Sequence, residues 1–408
     1  MTKCDEQYKA LLTDILVNGV EKDTRAGRVK SVFGRQLRFD LKKGFPLLTT
    51  KKVFTKGVLY ELLWFLQRPF NSNGSMNIEY LVRNGVHIWD DDAYRWFKTN
   101  IANSIKPTKY VVCLDDNDDE FLHNVVKRRT NFEIWIENEA RLKDETWLQN
   151  ITKEEFLDLT LQRVEIRGTF MSRYRFGDLG PVYGAQWKCF GGNSECQINK
   201  IINTLKTNPN DRRMLCVAYN PSQLDEMALP PCHVMFQFYA RELSNKERMN
   251  IFNERYAKGE IPQKYHDWFK EYSKNTKEGE DVKMPSDGSD FDIAEIPKYG
   301  LSCMWSQRSV DSFLGLPFNI ASYAALTHII AKLVNMVPDE LIGSLGDCHI
   351  YDAHMDAVKE QLSRKGFEAL PKLEIVGNQK IIEDFKYEDF KIMGYQSDSP
   401  IKAPLLVG

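Results

Sequence analysis

The stretch FNIASYAALTHIIAKLVNM, residues 318–336, decides the fold of this chain. Apolar side chains lie on nearly all of its sides, and a helix with that pattern is buried by its neighbours. Two runs rich in aliphatic and aromatic residues precede it, CHVMFQFYA at 232–240 and LSCMWSQRSV at 301–310, and this composition is typical of strands. The sequence therefore predicts one α+β core around a central helix.

The amino-terminal part of the sequence predicts two further helices and a strand. Gly19 is a plausible end for a helix whose apolar residues recur at helical spacing, namely Tyr8, Leu11, Leu12, Ile15 and Leu16. The run KSVFGRQLRFDL, residues 30–41, predicts a strand with a turn at Gly34. The run VLYELLWFLQRPF, residues 58–70, predicts a strongly apolar helix that Pro69 ends.

Two regions interrupt the regular pattern. Residues 91–178 and 241–299 are polar and charge-dense, with only short apolar runs, and we find no internal repeat. The simplest organisation is a single domain over residues 1–408 that carries surface insertions at roughly those two places.

Length and composition narrow the class of protein. A chain of 408 residues with 42% hydrophobic content can build a large core. Its net charge of -2 provides no general attraction to nucleic acid or to an anionic membrane, so any bound anion needs a local cluster of Arg or Lys. No apolar run approaches the length of a membrane span, and the opening MTKCDEQYKALL is not a signal peptide. We expect a soluble cytoplasmic protein with neither nucleic-acid nor membrane partners.

The eight cysteines and seven histidines indicate neither a disulfide framework nor a metal site. The cysteines are irregularly spaced, no CxxC occurs, and the histidines form no zinc-like spacing with them. We therefore predict reduced thiols and no bound metal.

Cys232 is the one cysteine whose surroundings invite a chemical interpretation. It lies in MALPPCHVMFQFYA, residues 227–240, where a buried structural thiol is the commoner outcome. His233 follows it in a predicted strand and so points to the opposite face, which makes it a poor base for the thiol. Lowering the pKa of this thiol would instead require nearby cations.

Two arginine clusters could supply those cations. Arg212 and Arg213 open a predicted strand in NDRRMLCV, and Arg308 stands beside Ser309 in SQRSVDSFLGLPFN. Each arginine taken singly is more often a surface charge, but together they offer forked donors suited to a phosphate. Because the chain has no glycine-rich phosphate loop, the predicted ligand is a monophosphate that needs no magnesium.

Six motifs, in order along the chain, resemble the thymidylate synthase family. They are LGPVYGAQW (179–187), DRRMLCVAYNP (211–221), MALPPCH (227–233), QRSVDSFLGLPFNIASYA (307–324), GDCHIYDAH (346–354) and IKAPLLV (401–407). The stretches GFPLLTTKK, ELLWFL and IWD extend the match. The resemblance implies a large mixed β-sheet packed by helices, and a homodimer formed through that sheet in which each site borrows arginines from its partner.

The same resemblance implies a role for particular residues. Cys232 would attack carbon 6 of the uracil ring of dUMP, within a polar network of Glu61, Tyr183, His233 and Gln307. Arg308 and Ser309 would bind the phosphate of the nucleotide, together with Arg212 and Arg213 from the partner. His349 and Tyr351 would bind the sugar, and Asn319 would bind the uracil edge. The cosubstrate 5,10-methylenetetrahydrofolate would contact Lys51, Trp89, Asp311 and Gly315, with Asp311 assigned to both ligands.

Elementary chemistry explains two of these residue types. The amide of Asn319 can pair with both a carbonyl and an N–H, as uracil requires. The cytidylate-specific relatives carry an aspartate there, so the resemblance favours dUMP over dCMP. Glu61 lies within an apolar helix, where burial would raise the pKa of its carboxyl toward a useful range for proton transfer. The alternative is a carboxylate that merely reaches the surface.

Several positions depart from the family pattern. In DTRAGRVKS, residues 23–31, Arg25 is the best candidate for the amino-terminal phosphate loop but lies one position out of register. The second tryptophan after IWD is replaced by Asp92, on the folate side, and the tyrosine before QRS is replaced by Ser306.

Asp92 and Ser306 bear on which product forms. Both replace an aromatic side chain that would shield the site from water, and both supply a polar group that can bind water. A site that admits water would give 5-hydroxymethyl-dUMP, as in the deoxyuridylate hydroxymethylases of phages with modified DNA, and this is the expected function. The close alternative is thymidylate synthase, which excludes water and gives dTMP and dihydrofolate. A distant alternative is an inactive nucleic-acid-binding protein, although acidic runs flank the basic residues of 123–135.

Overall fold

The central helix predicted from residues 318–336 is present as Gly315–Leu333. The structure is a computed structural model that describes residues 1–66, 74–102, 111–114, 147–167, 174–192, 196–261, 265, 291–292 and 294–406. The helix begins earlier than predicted because Pro317 lies in its first turn, where the missing N–H breaks no helical hydrogen bond. Most of its side chains are buried on all sides, as the sequence predicted.

The elements are numbered here in chain order. The α-helices of the described residues are α1 Lys3–Asn18, α2 Thr55–Leu66, α3 Glu79–Arg83, α4 Asp90–Trp96, α5 Trp147–Asn150, α6 Lys153–Leu161, α7 Gly184–Cys189, α8 Gln197–Thr207, α9 Asn245–Ala257, α10 Gly315–Leu333 and α11 Met355–Ser363. The strands are β1 Val20–Thr24, β2 Gly27–Asp40, β3 Val111–Leu114, β4 Val164–Arg167, β5 Tyr174–Arg175, β6 Leu215–Val217, β7 His233–Glu242, β8 Tyr299–Asp311, β9 Val337–Tyr351, β10 Lys372–Ile375 and β11 Phe390–Met393.

The main sheet has six strands in the order β1-β2-β9-β8-β7-β6. Strands β8 and β9 are parallel, and every other neighbouring pair in this sheet is antiparallel. Helix α10 connects the two parallel strands and packs on the sheet, where the Tyr323 and Trp305 rings stack with centroids 5.5 Å apart. The predicted α+β fold with a large mixed sheet is confirmed.

Strand register brings the candidate site residues to one end of this sheet. His233 at the start of β7 lies opposite Gln307 near the end of β8. Asp311, at the end of β8, lies opposite His349 of β9. Because β8 and β9 run parallel and β7 runs against them, residues far apart in sequence meet at this edge.

The two predicted insertions pack differently in their described parts. Residues 241–299 span the connection between β7 and β8, and Phe252 and Phe291 bury a small apolar cluster of their own there. Within 91–178, by contrast, Phe97 and Phe156 are fully buried in the main core, with ring centroids 5.3 Å apart. The described part of this first region therefore contributes side chains to the main core.

One predicted turn is wrong. Gly34 does not reverse the chain, because β2 runs without a break from Gly27 to Asp40. The ladder with β9 passes from Phe33 to Arg35, and Gly34 takes the positive φ of +74° that glycine adopts readily. The glycine therefore marks a local irregularity within one strand. Pro69, predicted to end helix α2, lies outside the described residues.

Three of the general sequence expectations can be compared with the described residues. The seven cysteines whose side chains are described are free thiols. In the same part of the chain, no group of three or more His, Cys, Asp or Glu is arranged to hold a metal ion. No helix there combines the length and the apolar character needed to cross a bilayer.

Candidate active site

Cys232 lies immediately before β7, at the end of the sheet where β8 and β9 terminate. Its backbone N–H donates to Tyr183 Oη at 2.8 Å, and its carbonyl accepts from the backbone N–H of Arg308 at 2.8 Å. The residue is half-buried. These two bonds fix the peptide that carries the thiol.

Burial raises the pKa of the Cys232 thiol above its usual value. Arg308 and Tyr183 act in the opposite direction, whereas Asp92 and Asp311 raise the pKa further. From the sequence, arginine was expected to keep this thiol ionised. In the protein alone, the loss of solvation outweighs the cation.

Arg308 is oriented by the two prolines that precede Cys232. Its Nε donates to the Pro231 carbonyl and its Nη2 to the Pro230 carbonyl, both at 2.9 Å. The residue as a whole remains exposed. The prolines thus hold the guanidinium beside the thiol while leaving it accessible to an anion.

The His233 side chain is held by two tyrosines. Its Nδ1 hydrogen-bonds Tyr323 Oη at 2.7 Å, and its ring stacks on Tyr183 with centroids 4.1 Å apart. Burial lowers the pKa of the imidazole to about 3, so the ring is neutral at physiological pH. His233 therefore acts in the network as a neutral hydrogen-bonding group.

Glu61 lies on helix α2 close to the same network. Trp89 Nε1 donates to Glu61 Oε1 at 2.7 Å. Burial raises the pKa of this carboxyl to about 7, although the Trp89 bond opposes the shift. A carboxyl with a pKa near 7 exchanges protons readily at physiological pH, as proton transfer requires.

Asp92 lies on helix α4 and is also close to the thiol. Its Oδ1 accepts from Arg95 Nη2 at 2.7 Å, and only 13% of its side chain is exposed. Burial raises the pKa of its carboxyl to about 6, with Arg95 acting against the shift. A polar, titratable group thus occupies the place where the family pattern has tryptophan.

Three further predicted phosphate ligands are exposed arginines. Arg212 and Arg213 are exposed, and 92% of the Arg213 side chain is accessible to solvent. Arg25 is also exposed, in the tight turn between β1 and β2. These arginines are available to a ligand or to another subunit.

The predicted folate side is formed by Lys51 and the first turn of α10. Lys51 Nζ bonds the Phe313 carbonyl and lies 3.5 Å from the centroid of its ring. Burial lowers the pKa of the Lys51 ammonium to about 7, against the attraction of Asp311. A Cβ on Gly315 would meet Asp311 Cβ at 3.5 Å and Asn319 Oδ1 at 3.9 Å, which are ordinary contacts. The packing would therefore accept a side chain at this position, so the fold itself does not require glycine here. The glycine leaves open space between the Asp311 and Asn319 side chains.

The remaining predicted residues lie along the ends of β8 and β9. Gln307 accepts from Trp305 Nε1 at 3.2 Å and donates to the Ser309 carbonyl at 3.0 Å. The His349 and Tyr351 rings meet edge to face with centroids 5.1 Å apart. Burial is the main reason that the pKa of the Tyr351 hydroxyl is raised, and the nearby Asp311 and Cys232 raise it further.

Ser306 does not lie where the water-holding argument requires it. It alternates along β8 with Trp305 and Gln307, which face helix α10 or the polar network. Successive side chains of a strand point to opposite faces, so Ser306 points away from Trp305, Gln307 and helix α10. This placement removes one of the two residues that favoured a hydroxylated product.

Three residues of the site were missed by the sequence argument. Tyr323 holds His233, Arg95 pairs with Asp92, and His354 lies 3.9 Å from Asp311. A signal existed for Tyr323, because it stands four positions after Asn319 and therefore on the same face of the helix. A signal also existed for Arg95, which stands three positions after Asp92 on helix α4, whereas the contact of His354 with Asp311 depends on tertiary packing.

A half-buried cysteine beside an oriented arginine, with a buried carboxyl of raised pKa and a neutral histidine, defines an enzyme site built for nucleophilic catalysis. A family model described as "Thymidylate synthase" matches residues 6–253 and 288–407. The chain therefore belongs to the thymidylate synthase family of one-carbon transferases.

Curated relatives match along almost the whole chain. The thymidylate synthase of Staphylococcus haemolyticus is 37% identical over 407 residues, covering 99% of this chain and 98% of that protein. The thymidylate synthase of Mycoplasma mobile is 34% identical over 404 residues, covering 98% and 100%. The thymidylate synthase of Coxiella burnetii is 34% identical over 406 residues, also covering 98% and 100%.

Proposed function

We propose that this enzyme is a thymidylate synthase that converts dUMP to dTMP, with 5,10-methylenetetrahydrofolate as the one-carbon donor. The observation that carries the proposal is the full-length similarity to relatives named thymidylate synthase. They favour this function over the hydroxymethylase expected from the sequence, and the placement of Ser306 supports the same choice. We place the reaction in the cytoplasm.

The proposed chemistry begins at Cys232. Its thiolate adds to carbon 6 of the uracil ring and makes carbon 5 nucleophilic, which is covalent catalysis. Tyr183 and Arg308 hold the cysteine backbone, so the thiol does not need to reorganise as the ring arrives. Glu61 would move a proton to or from the ring region, because its pKa near 7 permits both directions.

The nucleotide is held at three places in this proposal. Arg308 and Ser309 bind the phosphate, together with exposed arginines of the partner. His349 and Tyr351, adjacent at the end of β9, bind the sugar hydroxyl. Asn319, near the start of α10, reads the uracil edge with one donor and one acceptor.

The reduced folate fits the other side of the site. Gly315 leaves room beside Asp311 and Asn319, while Lys51 and Trp89 provide a cation and an aromatic face. When bound, this cosubstrate would supply the one-carbon unit and the reducing hydride. Asp311 is well placed to orient it, because its Oδ1 is fixed by the N–H groups of Phe313 and Leu314, both at 3.0 Å.

The product decides between the two family reactions. We expect incubation with dUMP and 5,10-methylenetetrahydrofolate to give dTMP by mass spectrometry, with dihydrofolate appearing by absorbance. Asp92 is the specific observation that favours the second candidate, 5-hydroxymethyl-dUMP. If that product forms instead, Asp92→Trp should shift it toward dTMP, whereas Asp91→Asn, at a half-exposed neighbour bonded to Lys153, should not.

Asn319 provides a test of base recognition. Asn319→Asp removes the amide donor, so we expect kcat/KM for dUMP to fall by about tenfold to 100-fold while the preference moves toward dCMP. Steady-state kinetics with both nucleotides measures this. The control is Asn203→Asp, the same chemical change at an exposed position of α8. Equal losses with both nucleotides would contradict recognition of the uracil edge.

The exposed arginines provide a test of the homodimer. If Arg212 and Arg213 act across the interface, a chain with both replaced by alanine and a Cys232→Ser chain are each inactive. Mixing them with subunit exchange should restore about one quarter of the wild-type activity, because half of the dimers then contain one intact site. Activity that stays absent after confirmed exchange would place these arginines in the site of their own subunit, and an active double-alanine chain would place them outside the site.

A further inference from the structure

Tyr323 and His233 form a buried pair that joins helix α10 to the start of β7. The Tyr323 Oη atom lies 2.7 Å from His233 Nδ1, within hydrogen-bond distance, and only 2% of Tyr323 is exposed. Among the described residues, no other group hydrogen-bonds this hydroxyl. The imidazole is therefore the partner on which the Tyr323 hydroxyl depends.

The other ring nitrogen of His233 has different surroundings. Nε2 has no hydrogen-bond partner in the described part of the chain, yet it is not one of the fully buried polar atoms there that lack a partner. It is therefore accessible to water or to a ligand, in agreement with the 9% exposure of the residue. Because the ring stacks on Tyr183, which bonds the Cys232 backbone, the accessible side of the imidazole lies within the candidate site.

The hydrogen-bonding capacity of the pair selects one tautomer of the imidazole. The ring is neutral at physiological pH, so one of its two nitrogens carries a hydrogen. If Nδ1 carried it, Nδ1 would donate to Tyr323 Oη, and the buried Tyr323 O–H would have no acceptor among the described residues. If Nε2 carries it, the Tyr323 O–H donates to Nδ1 and both groups are satisfied. A buried donor without an acceptor is costly, so the second arrangement is favoured.

The position of Tyr323 is itself fixed by packing. Its ring stacks on that of Trp305 in β8, with centroids 5.5 Å apart and an interplanar angle of 8°. Gly343 lies opposite Trp305 on β9, and a Cβ at this position would lie 2.5 Å from the indole. The glycine therefore gives the indole its space, and the indole supports the tyrosine ring that contacts His233.

We propose that Tyr323 is a positioning residue that keeps the hydrogen of His233 on Nε2, so that the imidazole offers a neutral donor to the candidate site. Such a donor suits a ligand oxygen that gains negative charge during the reaction, because it is already oriented when the charge develops. That this oxygen belongs to the uracil ring of dUMP rests on the proposed function, whereas the choice of tautomer does not.

Nitrogen NMR of the full chain, with isotope-labelled histidine and without ligand, measures the tautomer directly. We expect Nδ1 of His233 to give the signal of a nitrogen without hydrogen, and Nε2 to give the signal of a nitrogen bonded to hydrogen. The two signals are assigned by their loss in His233→Gln. A hydrogen on Nδ1 of the wild type overturns the proposal, even if every variant at position 323 fails to fold.

Tyr323→Phe removes the hydroxyl and keeps the aromatic ring. We expect the two nitrogen signals of His233 to move toward each other, because both tautomers are then populated, and kcat to fall about fivefold to 20-fold. The matched control is Tyr94→Phe, which deletes a hydroxyl that donates to the Ile151 carbonyl at 2.7 Å. It should leave the His233 signals unmoved and kcat within about twofold of wild type. Unmoved His233 signals in Tyr323→Phe overturn the role of Tyr323.

The His233→Gln background tests whether the hydroxyl acts through the imidazole. Glutamine places an amide nitrogen near the position of Nε2 and can donate there without help from Tyr323. We therefore expect Tyr323→Phe to change kcat by less than about twofold in this background. Equal losses in both backgrounds overturn the proposed route through His233. If the wild type forms no product from dUMP and the reduced folate, the proposed function fails, and the NMR measurements still decide whether Tyr323 fixes the tautomer.

Discussion

Replacing Cys232 by serine should lower kcat/KM for dUMP by at least about 10³-fold. The hydroxyl of serine remains protonated at neutral pH, and neither His233 nor another described base bonds the Cys232 side chain to activate it. Substrate binding should survive, because Arg308 and the Cys232 backbone bonds do not involve the sulfur. Turnover is measured by product mass, and dUMP binding by isothermal titration.

The matched control is Cys189→Ser, at a half-buried thiol that ends helix α7. It should retain turnover within a few-fold of wild type. A Cys232→Ser enzyme that keeps more than about a tenth of wild-type kcat/KM would exclude covalent addition by this residue. Capture of dUMP in a covalent adduct by the wild type, but not by the variant, would support the mechanism independently.

Glu61→Gln should lower kcat by about 10²-fold to 10⁴-fold while leaving dUMP affinity nearly unchanged. Glutamine keeps the acceptor for Trp89 Nε1 and the volume of the side chain, but it cannot transfer a proton. Glu6→Gln, at an exposed position in the first turn of α1, is the control and should leave kcat unchanged. A matching fall in kcat and in dUMP affinity would indicate a binding role for Glu61.

The Glu61→Gln variant, which should lower kcat, should raise the stability of the folded protein. Burial raises the pKa of Glu61 to about 7 from an ordinary value of 4.5, so the folded state binds this proton more tightly than the unfolded chain does. The contribution of this proton on Glu61 to the free energy of unfolding is therefore complete below pH 4.5. It is lost as the pH rises to about 7, by about 1.4 kcal/mol per pH unit. Glu61→Gln lacks this loss, so urea unfolding should show it gaining stability relative to wild type between pH 5 and pH 8.

The sequence predicted the architecture where pattern and local chemistry agree. The apolar stretch at 318–336 forms the buried helix, and the runs at 232–240 and 301–310 form neighbouring strands. The raised pKa of Glu61 also agrees with the sequence, because Glu61 is the single acid of an apolar helix and burial there disfavours its charge. These predictions depend on periodicity, which a single sequence displays directly.

The sequence could not predict features that depend on which face or which partner a side chain meets. Gly34 looked like a turn because glycine permits one, but β2 pairs with β9 on both sides of it, and the strand continues past this irregularity. Ser306 was expected to remove apolar cover and hold water in the site, but strand alternation directs its side chain away from Trp305 and Gln307. His354 carried no local signal, since its two contacts come from Asp311 and Pro404, which lie on either side of it in sequence.

The strand order has a consequence for synthesis on the ribosome. Strand β2 pairs with β9, and the Tyr8 hydroxyl donates to the Ser312 carbonyl at 2.8 Å across 304 positions of sequence. The nascent chain must therefore wait, with its amino-terminal strands lacking their β9 partner, until nearly all of it has been translated. Catalytic competence should appear only near the end of translation, so chaperones that shield exposed strand edges should matter more for this enzyme than for proteins built from local contacts.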